Sequence, residues 1–169
     1  MVIAEFRAPW CRALRHTTVL ASLLLLALVA LGFLTGPRQL LLWWLGMVGL
    51  PIVVLVCSAL FTVLGYAVTE TTIEVKRLCW MTSLPLQGLR SVGADEDAMR
   101  GSLRLFGNGG LFAVTGWFWN RKLGRYRAFA TDPARAVVLR YATRRILLTP
   151  DDVQKFIVLM RKQISGAAP

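Results

Sequence analysis

Residues that usually perform catalysis or bind metals are scarce in this chain, which has one histidine, three cysteines and nine acidic residues among 169 positions. Cys11, Cys57 and Cys79 lie far apart, with no C-x-x-C motif and no pair of histidines beside them. This spacing predicts neither a metal site nor a disulfide framework, and free thiols fit a reducing compartment. Because no serine or cysteine has a base near it in sequence, we expect a protein that is not an enzyme and binds no cofactor.

Charged residues are absent from two long segments, residues 17–37 and 39–69, which are separated by Arg38. A helix rises about 1.5 Å per residue, so roughly 20 apolar residues cross a hydrocarbon core about 30 Å thick. We therefore predict a transmembrane helical hairpin over residues 17–66. Its two helices are predicted at about 17–35 and 40–66. The lack of ionisable side chains within them argues against a channel or a carrier.

Basic residues gather on one side of the predicted hairpin. Arg7, Arg12 and Arg15 precede the first helix, and Lys76 and Arg77 follow the second. Since basic residues that flank a span stay on the cytoplasmic side, we expect both termini there and a turn at 36–39 on the other side. These features predict a multi-pass membrane protein with both termini in the cytoplasm. A cleaved signal peptide is the alternative, but no A-x-A cleavage pattern follows the first apolar run.

The second predicted helix contains aromatic residues near its ends and helix-perturbing residues in its first half. Trp43 and Trp44 near one end, and Tyr66 near the other, lie where aromatic rings favour the membrane interface. Gly46 and Pro51 either kink the helix and allow close helix packing, or are the glycine and proline that membrane helices commonly tolerate.

The composition changes after residue 69. Residues 70–169 carry sixteen basic against eight acidic residues, which accounts for +8 of the total formal charge of +11. Such a surplus favours anionic partners. Because a domain held at a bilayer meets lipid headgroups first, and no nucleic-acid-binding module is recognisable, we expect membrane lipids and no nucleic acid as partners.

This second part of the chain is rich in β-branched and aromatic residues that alternate with polar ones. The predicted strands are 68–78, 79–84, 103–106, 111–115, 125–131, 136–141 and 144–148. The glycine-rich run 107–110 predicts a hairpin turn and lacks the pattern of a phosphate-binding loop. Thr149 is the predicted N-cap of a helix over about 150–164, whose apolar stripe includes Phe156 and Met160.

Five short segments carry the motifs that matter for identifying the domain. The first three are rich in glycine and aromatic residues, and the last ends in T-P-D-D, shortly before Phe156. The segments are 107–112, 116–120, 123–126, 130–132 and 148–152. This combination resembles the small bacterial PH-like (pleckstrin-homology-like) domain families, in particular members that follow two N-terminal membrane spans. The resemblance covers roughly residues 66–165. It implies a bacterial protein, and with the predicted topology we therefore expect a multi-pass protein of the bacterial inner (cytoplasmic) membrane. The resemblance also implies a membrane-anchored α+β fold, in which a two-helix transmembrane hairpin precedes an antiparallel β-sandwich or barrel capped by a C-terminal helix. The predicted division is a cytoplasmic N-terminal segment 1–16, the hairpin 17–66 and the PH-like domain 67–169.

The densest cluster of basic and aromatic residues is the predicted interface with lipid or with a partner protein. It consists of Trp117, Trp119, Arg121, Lys122, Arg125 and Arg127. If strand alternation turns Phe118 inward, both tryptophans share the opposite face. The alternative is that these rings fill the core and the cations are merely solvated. Lys76 and Arg77 are weaker candidates, because no long basic loop follows them.

Three functions fit these observations. The first is a non-enzymatic integral membrane protein whose cytoplasmic PH-like domain is an interaction or assembly module, with another membrane protein or a second copy as partner. The second is a sensor of anionic lipid headgroups that uses the basic-aromatic surface. The third is an accessory subunit of a transport or secretion complex. No small-molecule substrate is indicated.

Overall fold

The computed structural model describes residues 2–37 and 39–166, and the side chains up to residue 164. Two helices, α1 (Arg12–Thr35) and α2 (Leu41–Leu60), are long and apolar enough to cross a membrane, with mean hydropathies of 2.5 and 2.2. They pack against each other, and most of their side chains face outward. Since no other part of the chain that the structure describes covers these apolar surfaces, they fit a lipid environment. The predicted turn at 36–39 includes Arg38, which lies outside the described residues.

The two helices approach closely at Gly32 rather than at the glycines of α2. A Cβ atom placed on Gly32 would lie 2.9 Å from Met47 Cβ, whereas one on Gly46 would meet nothing within 4 Å. The indole of Trp43 donates a hydrogen bond to the Gly32 carbonyl at 3.3 Å. Small residues permit such approaches because van der Waals packing holds membrane helices together. The contact surface therefore depends on a glycine in the first helix.

A π-helical turn, Leu45–Gly49, interrupts α2 just before Pro51. The amide of Leu50 donates to the carbonyl of Leu45, five residues back. Proline has no N–H to donate and its ring clashes with the carbonyl four residues earlier, and a wider turn accommodates both defects. The local irregularity of α2 is thus explained by Pro51.

The second helix ends at Leu60, and the chain enters a strand at Val63. The prediction carried this helix to residue 66 and placed Tyr66 at the membrane interface, and the structure differs on both points. Tyr66 is fully buried in the domain core, where its hydroxyl donates to the Phe129 carbonyl at 2.6 Å. The apolar run continues past Leu60 because a buried strand needs the same residue types as a membrane helix.

Two β-sheets and a C-terminal helix form most of the rest of the described protein. The strands are β1 (Val2–Arg7), β2 (Val63–Thr69), β3 (Thr72–Arg77), β4 (Met81–Pro85), β5 (Leu89–Ala94), β6 (Leu103–Leu111), β7 (Ala113–Asn120), β8 (Gly124–Ala130), β9 (Val137–Tyr141) and β10 (Arg145–Leu148). One sheet has the order β1-β2-β3-β4, and the other has the order β5-β9-β10-β8-β7-β6. All neighbouring strands are antiparallel except β8 and β10, which are parallel. The α+β fold with a membrane hairpin, a β-sandwich and a C-terminal helix is confirmed.

The N-terminal segment belongs to the sandwich. Residues Val2–Arg7 form β1, which pairs antiparallel with β2, and Phe6 packs edge-on against Phe156 with ring centroids 5.1 Å apart. The prediction treated residues 1–16 as a separate segment. It missed this strand because the partner strand lies beyond both helices in sequence, where a local pattern carries no information.

Other strand predictions also need correction. Leu89–Ala94 forms β5, where no strand was predicted. The glycine-rich run 107–110 lies inside the nine-residue strand β6 instead of forming the turn, and the chain reverses at Phe112, between Leu111 and Ala113. Pairing with β7 overrides the low strand propensity of glycine and asparagine.

The C-terminal helix, α3 (Val153–Gly166), packs its apolar stripe into the core as predicted. Phe156, Ile157 and Met160 are buried there. Its N-cap is Asp152, whose carboxylate accepts from the Lys155 amide at 2.9 Å, and not Thr149 as predicted. The Thr149 hydroxyl instead accepts from the Thr131 amide inside the core, because the chain reaches the helix three residues later than expected.

Candidate functional site

The β6–β7 hairpin is fastened to the beginning of α1. The amide of Phe112, at the tip, donates to Thr18 Oγ1 at 2.9 Å, and Thr17 Oγ1 donates to the Gly110 carbonyl at 3.1 Å. The rings of Trp10 and Phe112 meet edge-on with centroids 6.2 Å apart. The sandwich is therefore held against the hairpin at a second place, besides the short connections before α1 and after α2.

Backbone geometry explains how the β6–β7 hairpin reaches the helices. Gly107 and Gly116 face each other across its two strands at φ +114° and +136°, a region that other residues rarely adopt. A Cβ on either glycine would overlap the backbone of the opposite strand. Phe112 adopts φ +66° at the tip, which is unusual for an aromatic residue. The glycine pair lets the strands approach closely, and the contacts of Phe112 with α1 hold the tip in its strained conformation.

A cavity of about 530 Å³ lies between the end of α2 and the sheet face of β6, β7 and β8. We call it the arginine cavity. Its lining residues are Val54, Cys57, Ser58, Phe61, Arg77, Arg104, Phe106, Gly107, Asn108, Leu111, Thr115, Gly116, Trp117, Arg127 and Phe129. The lining includes three arginines and no acidic residue, and the remainder is mostly apolar. Such a combination suits a ligand that has both an anionic and an apolar part.

Arg77 is the most buried of the three cavity arginines, with 7% of its surface exposed. Its Nη1 donates to the Phe61 carbonyl at 3.2 Å, and its guanidinium lies 5.2 Å from the ring centroids of both Phe61 and Phe129. Its Nε is buried and has no hydrogen-bond partner within the described ranges 2–37 and 39–166. Burial and the nearby charge of Arg127 lower the pKa of Arg77. Aromatic faces stabilise this cation, and it forms no ion pair with a described carboxylate.

The other two cavity arginines, Arg127 and Arg104, extend the positive charge towards the opening. Arg127 lies over Phe129 at 4.8 Å, and burial together with the charge of Arg144 lowers its pKa. Arg104 is exposed on β6, where its side chain lies beside Gly109. None of the ion pairs found among the described residues uses a cavity arginine.

The two predicted interface tryptophans share a face, as alternation along β7 required. Phe118 is buried and stacks on Tyr126, whereas Trp117 is half-buried and Trp119 is 42% exposed. Trp117 lines the arginine cavity and pairs across the strands with Arg127. Trp119 lies outside the lining of the cavity.

The remaining predicted interface residues separate into different surroundings. Arg125 lies over the Trp117 ring at 4.5 Å, outside the cavity lining. Arg121 is exposed in the turn after β7. Lys122 makes an ion pair with Asp95 at 2.5 Å, and Lys76 makes one with Glu5 at 2.8 Å. The structure therefore brings only part of the predicted cluster to the cavity.

Sequence reasoning missed Arg104 and Phe61 as cavity residues and gave Arg77 little weight. Arg104 precedes the glycine-rich run, and Phe61 lies in the apolar stretch that was read as membrane helix. The available signal was a basic residue, Arg77, at the end of a strand with alternating polarity. A strand end close to the membrane is a place where a buried cation can meet a headgroup.

The family comparison identifies the domain. The family model described as a bacterial PH domain matches residues 64–164, more than half of the chain. No match was found among curated proteins or among solved structures. PH domains are generally non-catalytic modules that bind proteins or lipids, and among the described residues no group of three or more His, Cys, Asp or Glu could hold a metal ion. The chain belongs to the bacterial PH domain family.

Proposed function

We propose that this chain is a non-enzymatic integral membrane protein whose PH domain is an interaction or assembly module on the cytoplasmic side of the bacterial inner membrane. The observation that carries the proposal is the apolar edge strand β6 beside the helix hairpin. Pairing of β1 with β2 supports a common side for the N-terminal segment and the domain, and the basic residues near both ends of the hairpin favour the cytoplasm.

Strand β6 ends its sheet and has no strand on its outer edge among the described residues. Three of its side chains are largely exposed, with Leu103 at 62%, Leu105 at 55% and Phe106 at 77%. A long edge strand with exposed apolar residues is a template for pairing with another chain. Because β6 also packs against α1 and α2, we expect the partner to be a second membrane protein or a second copy of this chain.

Site-directed photo-crosslinking in membranes tests this function. A photoreactive residue at Leu105 is expected to give a discrete crosslinked product, which co-purifies in mild detergent as a stoichiometric complex. Val158 on α3, with 64% exposure, is the matched control and is expected to give none. A clean monomer with no product at Leu105 would contradict the proposal.

A second candidate function, the sensing of anionic lipid, is favoured by the three cavity arginines at the end of α2. Their charges lie where the membrane surface would meet the domain, and a negative leaflet attracts such a cluster. With the full-length protein in vesicles, anionic lipid is expected to slow amide hydrogen exchange in the β6–β7 hairpin, and added salt is expected to weaken this effect. Equal exchange in neutral and anionic vesicles would eliminate this function.

A further inference from the structure

We propose that the arginine cavity binds the phosphate headgroup of one anionic phospholipid taken from the surrounding bilayer, with Arg77 as its innermost ligand. This inference deepens the second candidate function by assigning a single-lipid site inside the protein. It differs from a diffuse attraction between a basic surface and a negative membrane.

The first argument is the incomplete hydrogen bonding of Arg77. A guanidinium has five N–H donors, and a buried donor without a partner costs free energy. Arg77 Nε is the buried side-chain polar atom without a partner among the described residues, and it belongs to a residue that lines the cavity. A phosphate oxygen in the cavity would supply both an acceptor and the missing negative charge.

The second argument is the mutual repulsion of the cavity arginines. Arg77 and Arg127 are close enough for the charge of Arg127 to act on Arg77, and no acidic residue of the lining lies between them. Like charges held together without a counter-ion destabilise a fold, whereas a shared phosphate converts repulsion into attraction. Arginine suits this role because its planar fork of donors matches phosphate oxygens.

The third argument is the apolar part of the lining, which selects a lipid over a free anion. Val54 and Cys57 come from the last turns of α2, Phe61 directly follows that helix, and Phe106 and Leu111 come from β6. Val54 and Cys57 also belong to the outward surface of a helix that is apolar enough to lie in a bilayer. A headgroup at the arginines would therefore leave its acyl chains along α2, within the membrane. Inorganic phosphate would leave this apolar surface unused.

The volume also fits the proposed occupant. A space of about 530 Å³ lies within the usual range of roughly 300–1,000 Å³ for small-molecule sites, and it is large enough for a headgroup and glycerol but not for two complete acyl chains. Gly107 and Gly116 keep side chains out of the cavity at the close crossing of β6 and β7. The protein encloses the polar end of the lipid, and the bilayer receives its tails.

Native mass spectrometry of the full-length protein tests the proposal. The protein is reconstituted with equal amounts of phosphatidylglycerol and phosphatidylcholine and then released from mild detergent. We expect one retained phosphatidylglycerol per chain. Arg127→Gln and Arg104→Gln should each lower its retention about tenfold, since a charge-assisted hydrogen bond is lost. Arg140→Gln, an exposed residue of β9 outside the cavity, makes the same charge change and should retain the lipid.

Several outcomes would overturn the proposal. The first is that the protein retains phosphatidylglycerol and phosphatidylcholine equally. The second is that Arg140→Gln loses as much phosphatidylglycerol as Arg127→Gln does. The third is that inorganic phosphate alone reproduces the mass increase. Thermal unfolding of all variants verifies that they fold, and Arg104→Gln, on an exposed position, provides a readout if a more buried variant fails. If no lipid is retained while anionic vesicles still protect the hairpin from exchange, the cavity inference fails and the second candidate function survives.

Discussion

Tyr66 and Arg77 are both buried polar residues of the same sheet, but they differ in how their polar atoms are satisfied. The Tyr66 hydroxyl donates to the Phe129 carbonyl and accepts from the Thr149 amide at 3.1 Å. The Arg77 Nε has no hydrogen-bond partner among the described residues. Since buried polar groups are almost always hydrogen-bonded, Tyr66 is explained by the fold alone, whereas the Arg77 Nε is the atom for which the proposed phosphate would supply an acceptor.

Replacing Tyr66 by phenylalanine should change how stability depends on alkaline pH. Burial raises the pKa of Tyr66 to about 12 from its ordinary value of 10.0. Below pH 10 both states hold the proton, and as the pH rises from 10 to 12 the unfolded state releases it first. The free energy of unfolding therefore falls across this window, by up to about 3 kcal/mol for two pKa units.

In the Tyr66→Phe variant this fall in the free energy of unfolding between pH 10 and 12 should be absent. The variant should also unfold more easily at neutral pH. The neutral cost is about 1–2 kcal/mol, because the Thr149 amide loses its acceptor inside the core. Chemical unfolding in detergent at pH 7 and at pH 11 measures both effects. If the free energy of unfolding depends on pH in the same way in the variant and in the original protein, folding does not raise the pKa of the Tyr66 hydroxyl.

Two alanine substitutions in the helix hairpin test whether Gly32 allows the close approach of α1 and α2. Gly32→Ala places a methyl group 2.9 Å from Met47 Cβ, so the helices must separate or shift. Gly46→Ala adds the same group where nothing lies within 4 Å. In detergent, we expect Gly32→Ala to lower the free energy of unfolding by about 1–3 kcal/mol. Gly46→Ala should leave this free energy unchanged or raise it slightly. Equal effects would place the helix contact elsewhere.

A hydroxyl on α1 is expected to hold the tip of the β6–β7 hairpin. Thr18→Val removes the acceptor of the Phe112 amide while keeping a β-branched side chain of similar size. Thr35→Val is the control, because the Thr35 hydroxyl donates to the Leu31 carbonyl of its own helix. Hydrogen exchange at residues 110–113 should accelerate about fivefold to tenfold in Thr18→Val, as expected for the loss of one hydrogen bond worth about 1 kcal/mol. If both variants exchange alike, the Thr18 contact does not hold the tip.

Elements with a strong internal pattern could be predicted from the sequence. The two uncharged runs gave both helices, and the stripe of Phe156, Ile157 and Met160 gave α3. The end of α2 could not be predicted, because Val63 and Tyr66 are as apolar in a buried strand as they would be in a membrane helix. The first part of β6 was predicted at 103–106, but its glycine-rich half was not, since β7 and α1 hold that half extended.

The candidate site could be predicted only in part, because it is built from distant segments. Phe61, Arg77, Arg104 and Arg127 come from the end of α2 and from three different strands. Local clustering favoured residues 117–127, and strand alternation correctly gave both tryptophans a common face. The local pattern did not indicate that Lys122 pairs with Asp95, which lies more than twenty residues earlier in the sequence. Side-chain partners across a sheet depend on strand order, and the sequence pattern does not specify that order.

In sequence, the helix hairpin connects β1 to β2, and these two strands are paired neighbours in one sheet. Residues before α1 and after α2 are hydrogen-bonded to each other, so both ends of the hairpin are fixed to the same sandwich. The Arg7 amide also donates to Asp151 Oδ1 at 3.1 Å, next to the start of α3. A fragment that begins at residue 66 would lack β1 and the first half of β2, and we expect it not to fold.

The contribution of β1 can be measured in the full-length protein with two substitutions on the same strand. Phe6 is 5% exposed and packs against Phe156, so Phe6→Ala should lower the free energy of unfolding by about 3–5 kcal/mol. Ile3 is 44% exposed, and Ile3→Ala should cost less than about 1 kcal/mol. If β1 also positions α1, Phe6→Ala should accelerate hydrogen exchange at the Thr18 contact of the β6–β7 hairpin. A loss of stability without faster exchange there would mean that β1 stabilises the sandwich but does not orient it on the membrane helices.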